Sequence, residues 1–215
     1  MNFTGLSRIA YISLILLAFN LCVDYASMAK NLTLLNTFLM MAPEQAALTS
    51  INDIALSLAT IVRVLTGAAF LLWIYYSYKR IYKSGRTSTR FSPRSAVAWF
   101  FIPIANLYYP YIMINELYEA SNPVEPWQAT APDIIVNSWW PMCCAYVISY
   151  GGVVYQLVQP VALADLIKNV QLSIAASGFH MVVVAVWITM LAMIENRIIE
   201  LSKQKVEKVE LAEAA

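Results

Sequence analysis

Residues 91–123 read FSPRSAVAWFFIPIANLYYPYIMINELYEASNP, and their punctuation decides the architecture. Ser92 followed by Pro93 supplies an N-cap and a proline at the first helical position, where a missing N–H costs nothing. Pro103 then ends or kinks that helix after about ten residues. Pro110 can start a second short helix, which stops at Ser121, Asn122 and Pro123. Each piece is about 15 Å long at 1.5 Å per residue, half the thickness of a hydrocarbon core. With Trp99, Tyr108, Tyr109 and Tyr111 along it, the segment predicts a Pro-broken helical hairpin over 92–121, re-entrant or interfacial, rather than a kinked fifth crossing.

The rest of the chain supplies the membrane. Of its 215 residues, 60% are hydrophobic and 13% charged, about half the charged fraction of a soluble domain. A water-facing surface cannot be built from that composition. A net charge of +1 gives no footprint for nucleic acid. Cys22, Cys143 and Cys144 lie in apolar runs and form neither a disulfide framework nor a zinc spacing.

Four stretches are apolar enough to cross a bilayer: 9–29, 54–78, 134–158 and 170–193. Arg8, an apolar core and Ser27-Met28-Ala29 also fit a cleaved signal. Phe19-Asn20-Leu21 before Cys22 does not resemble a lipoprotein signal, and we read the segment as a retained first span. Lys79, Arg80, Lys83, Arg86, Arg90 and Arg94 follow the second span, and Arg197, Lys203, Lys205 and Lys208 follow the fourth; these cations belong in the cytoplasm. The expectation is an all-α integral membrane protein with both termini cytoplasmic, four spans in one domain over 1–194, a cytoplasmic-side hairpin, and a charged amphipathic tail over 195–215. A fifth crossing would put the cationic tail outside, against the charge rule.

Aromatic residues, Trp139 and Trp140 among them, gather at the expected cytoplasmic boundary, as in an aromatic belt. The alternative is a lipid- or peptide-binding shelf made by the hairpin and the Trp139-Trp140-Pro141 start of the third span. Ionisable residues inside spans are costly unless paired. Asp24, Arg63 and His180 fall at similar depths, so Asp24 and Arg63 are expected to pair, with His180, Asn20 and Tyr150 completing a polar layer. That layer either fixes helix register or forms part of an ion path. Glu116 and Glu119 share a helix face, expected to be solvated, and Asn106 is expected to satisfy backbone groups freed at the proline break. No GxSxG, HExxH or Gly-rich phosphate loop is present, and the sequence calls for no cofactor or metal.

One block is distinctive. FLLWIYYSYKRIYKSG at the end of the second span, SPRSAVAWFFIPIANLYYPYIMINELYEASNP and the following SWW resemble a bacterial membrane-protein family, domain of unknown function 4328. Ser92, Pro93, Trp99, Phe100, Pro103, Asn106, Leu107, Pro110, Glu116, Leu117 and Ser121 fall on its pattern. The likeness covers about 56–194 and implies a multi-span bacterial membrane protein, with no chemistry to carry over. The function expected is a non-enzymatic inner-membrane interaction or regulatory module, binding a membrane protein, toxin or lipid through the hairpin and basic loop. Its partners would be the bilayer, anionic headgroups, or a second copy. The alternative is an oligomeric channel or small-solute transporter that uses the Asp24, Arg63 and His180 layer.

Overall fold

A computed structural model of the chain describes residues 4–40, 53–86, 89–124, 133–158 and 163–213. Those residues form helices and turns and no strand. In chain order the helices are α1 (Thr4–Met40), α2 (Asp53–Lys83), α3 (Pro93–Ala98), α4 (Tyr109–Ala120), α5 (Ile134–Val158) and α6 (Leu163–Glu213). Two single 3₁₀ turns, Trp99–Phe101 and Ala105–Leu107, link α3 to α4. Among the described residues three helices are long and apolar enough to cross a membrane, within α1, α2 and α6; the corresponding stretch of α5 is the shorter Ile134–Ser149. The protein is thus a helical membrane protein.

α1 packs most extensively along α6, with α2 on one flank of that pair and α5 on the other. The hairpin fills the space between the flanks, because α3 lies on α2 and α4 lies on α5. Side chains from all six helices meet in one core: Leu17 of α1, Trp73, Ile74, Tyr78 and Ile81 of α2, Ala96 of α3, Met113, Ile114 and Leu117 of α4, Trp139 of α5, and Met190, Leu191 and Ile194 of α6, with Trp99 and Phe100 of the first turn packed against them. This core lies toward the hairpin end of the bundle.

Local chemistry sets the boundaries. Ser92 is extended (φ −73°, ψ 158°) and its Oγ accepts from the Ser95 amide at 3.2 Å, with Pro93 in the first turn of α3. The residue before Pro103, Ile102, is pushed to extended backbone (φ −97°, ψ 112°), which ends the first piece. α2 stops where Gly85 takes φ +96°, a left-handed conformation that closes helix C-termini and that a Cβ would strain.

Three boundaries differ from the sequence reading. α1 continues to Met40, far beyond the hydrophobic stretch ending at 29. Lys79, Arg80 and Lys83 belong to the last turns of α2 rather than to a loop. The tail expected from 195 continues the helix, as α6 runs unbroken for 51 residues, about 76 Å, but it leaves the bundle later than expected. Glu195, Ile198 and Leu201 are still buried in the bundle, and the exposed helix begins after them. Apolar side chains beyond the span find the hairpin and α2 to pack on, which hydropathy alone cannot register.

Candidate functional site

Asp24 organises the centre of the bundle. Its Oδ1 lies 3.2 Å from Arg63 Nη2 on α2, and its Oδ2 lies 2.7 Å from His180 Nδ1 on α6. Both carboxylate oxygens are therefore engaged, which is what a buried charge requires. The Asp24 side chain is 2% exposed and that of Arg63 30%, so the cation keeps an edge on open space. Tyr146 of α5 stacks on the His180 ring at 4.0 Å, nearly parallel.

Asn20, grouped with this layer in the sequence, makes a separate contact one turn away. Its Nδ2 donates to Thr66 Oγ1 at 2.6 Å and to the Leu16 carbonyl at 2.8 Å. Tyr150's side chain lies outside the described residues. Sequence reading missed Tyr146 and Thr66, both uncharged; their helical spacing from Tyr150 and from Arg63 was the available signal.

Beside this cluster, toward the hairpin, is a cavity of about 570 Å³. Its polar end is lined by Asn20, Arg63, Thr66 and His180, and its opposite end by Phe100, Phe101, Asn106 and Leu107 of the hairpin. Between them stand mostly apolar walls, including Phe70, Trp139, Val184 and Trp187. Phe70 is the hub of an aromatic cluster, with ring centroids 4.8 Å from Trp187, 5.5 Å from Trp139 and 6.2 Å from Phe100. Gly67 also lines the cavity, and a Cβ there would meet nothing within 4 Å. Its role is to leave volume rather than to admit a neighbouring backbone.

The hairpin is fastened from several sides. Glu116 accepts from Tyr78 Oη at 3.0 Å and from the Arg90 amide at 2.5 Å. Arg86 donates to the Ala120 carbonyl at 2.6 Å. Arg197 of α6 donates to Tyr118 Oη at 2.6 Å and lies over that ring at 3.8 Å. Trp140 Nε1 donates to the Leu107 carbonyl at 3.0 Å, tying the turn to α5. Trp99 stacks on Tyr109 at 4.4 Å, and Pro110 is buried at the start of α4.

These contacts correct several expectations. Glu116 is not on a solvated face; it is the acceptor that joins α2, the loop and α4. Arg80 and Arg86 are buried and hydrogen-bonded, so they are not part of a free cationic surface. Lys83, Arg90 and Arg94 are exposed, and Lys79, half-buried, lies 5.9 Å from the Tyr75 ring centre. Of Asn106, expected to serve the freed backbone, the buried Oδ1 accepts no hydrogen bond. Trp139 is a core residue, 1% exposed, and not an interfacial shelf.

Large apolar side chains are exposed along α1, α2, α5 and α6 and at the hairpin turn. Phe101, Ile104, Leu107 and Tyr108 at the hairpin turn are each more than 60% exposed, and so are Val147 and Ile148 on α5. Phe101, Leu107, Val147 and Ile148 also line the cavity, so they form the rim of its sideways opening. Among the described residues, no group of three or more His, Cys, Asp or Glu side chains is arranged to hold a metal.

Comparison with protein families finds a match. The profile of a family described as Domain of unknown function (DUF4328) covers residues 38–196. No curated protein and no solved structure matches the chain.

Proposed function

We propose a ligand-binding role for this chain, which belongs to the DUF4328 family: it holds the apolar part of a lipid-like amphiphile in the cavity under its hairpin. The observation that carries this reading is the joining of an apolar, laterally open space to a charged cluster. A volume of 570 Å³ is within the range of small-molecule sites, roughly 300–1,000 Å³. Apolar walls left against water cost roughly 25 cal/mol per Å², so an apolar occupant is favoured over water in this space. An opening rimmed by exposed Phe101, Leu107, Val147 and Ile148 admits a hydrocarbon chain from the side, where lipid supplies one.

The setting we propose is the bacterial inner membrane, with α1, α2, α5 and α6 as four spans, both termini cytoplasmic, and the hairpin re-entrant from the cytoplasmic face. The exposed apolar turn supports re-entry, because such a patch is costly in water. Broken helical backbone at membrane depth is tolerated where it lines a cavity or is covered by protein, and Asn106 and Leu107 of the second 3₁₀ turn line this one. Exposed Lys83, Arg90 and Arg94 would then meet anionic headgroups of the inner leaflet. A channel through the Asp24 layer draws less support, since both oxygens of Asp24 are already engaged and the space beside them has apolar walls.

The test is photolabelling in nanodiscs with a phospholipid that carries a diazirine on its acyl chain. Label should appear on Phe70, Val183 and Val184, which are buried in the chain and line the cavity. Gly67→Leu, which grows a side chain into open space, should remove that label and leave the exposed residues Val64 and Leu72 labelled. Label confined to exposed residues in both proteins would overturn the proposal.

A further inference from the structure

We infer that the polar end of the cavity recognises a hydroxyl head: the ligand is an alcohol- or phenol-headed amphiphile whose O–H donates to His180 Nε2. The inference rests on the cavity being a binding site and adds the chemistry of the head. It starts from the Asp24–His180 contact. At 2.7 Å from a carboxylate oxygen, His180 Nδ1 is the nitrogen that carries the proton in the neutral ring. In that neutral ring Nε2 is an acceptor, which is the state the inference requires. His180 lines the cavity, and with Nδ1 committed to Asp24, Nε2 is the nitrogen left for a ligand. Tyr146 stacked on one face and the Asp24 bond together hold the ring in that orientation.

Arg63 completes the recognition. It lines the same end of the cavity, and its guanidinium, which carries five N–H donors, is placed to donate to the oxygen whose proton His180 accepts. A hydroxyl oxygen needs both contacts, one donated and one accepted. A hydrocarbon end can make neither, and a carbonyl head can use Arg63 but has no proton for Nε2. Depth agrees with a lipid head. About 24 to 30 Å of helix separates Asp24, Arg63 and His180 from Arg8, Lys83 and Arg197 respectively. In a hydrocarbon core of about 30 Å, the cluster lies toward the face opposite the hairpin, with the apolar cavity extending inward from it. An amphiphile of the outer leaflet has that polarity, head at the Asp24 cluster and tail toward the hairpin.

His180 is the chain's single histidine, so one experiment reads it directly. The full chain, with ¹⁵N in its imidazole nitrogens, is placed in nanodiscs under mildly alkaline conditions and titrated with dodecanol and, separately, with dodecane. Displacement of the diazirine lipid from Val184 reports occupancy of the cavity in both titrations. The expected result is the Nδ1–H tautomer throughout, a shift of several ppm in the Nε2 resonance with dodecanol, and none with dodecane. Gly67→Leu should keep the tautomer and lose the dodecanol shift. An Nε2–H tautomer would overturn the inference. So would displacement by both probes with no Nε2 shift, which leaves the cavity reading standing. Failure of both probes to displace the lipid would overturn both readings, and displacement by dodecanol alone would support the head contact.

Discussion

Arg80 Nη1 lies 2.6 Å from Glu195 Oε1, and the two side chains are 5% and 8% exposed. Glu195 also accepts from Trp73 Nε1 at 3.2 Å through its other oxygen, so α6 is joined to α2 by a charge pair sealed from water. Two residues that read as solvated cations and anions beside membrane spans are in fact core.

Breaking that pair should be severe. Glu195→Ala leaves a buried guanidinium and an indole N–H without their acceptor, at a cost of about 3–5 kcal/mol. The Arg80→Met, Glu195→Leu double variant should recover most of that loss, because paired hydrophobic replacement removes both desolvation penalties. Denaturation in mild detergent, followed by the helical signal, checks the ordering; equal losses in the single and double variants would contradict it.

Exchanging the charges at Asp24 and Arg63 should rescue only part of the stability lost in either single variant. The exchange restores one ion pair, but it sets an arginine beside His180 where a carboxylate stood. Adding His180→Gln to the exchange should improve it further. Thermal unfolding of the four proteins in detergent provides the comparison, and full rescue by the exchange alone would show that the His180 contact carries no weight.

Glu116→Ala should loosen the hairpin from α2. It removes the acceptor for Tyr78 and for the Arg90 amide, and hydrogen bonds to a charged group are worth about 1.5–3 kcal/mol each. Tryptic cleavage after Arg90 and Arg94 should accelerate by about tenfold or more, the factor that corresponds to 1.4 kcal/mol of local opening. An unchanged cleavage rate would mean that the remaining ties, Arg86 to Ala120 and Arg197 to Tyr118, suffice.

Glu119 provides a pH signature outside the spans. Burial, and next the nearby Glu116 carboxylate, push its pKa above the ordinary 4.5, with Arg90 opposing. Because the folded value is the higher one, its contribution to stability is full below pH 4.5 and is lost as pH rises through the raised value. Glu119→Gln should therefore raise the melting temperature slightly at neutral pH and leave it unchanged in acid. A gain that persists below pH 4.5 would point to a cause other than ionisation.

Much of this architecture is written locally. The proline spacing and the Ser92 cap dictate two short helices with a non-helical turn, because a missing N–H and a fixed φ act within a few residues. Composition dictates a membrane setting for the same reason: apolar surface must leave water wherever it ends up. Asp24, Arg63 and His180 stood out because charge inside an apolar run is conspicuous in one dimension.

What the sequence could not express is which groups meet. Glu116, Arg80, Arg86 and Glu195 look like ordinary surface charges, and their burial depends on where the hairpin docks between α2 and α5. Nothing in its apolar neighbourhood along the chain marks Gly67 as bordering open volume, as it does. The cavity belongs to no single segment; it exists because the hairpin and the four long helices border space without filling it. Propensity and hydropathy are sums over neighbours in the chain, whereas pairing and enclosure depend on distances between helices, and those the tertiary structure alone decided.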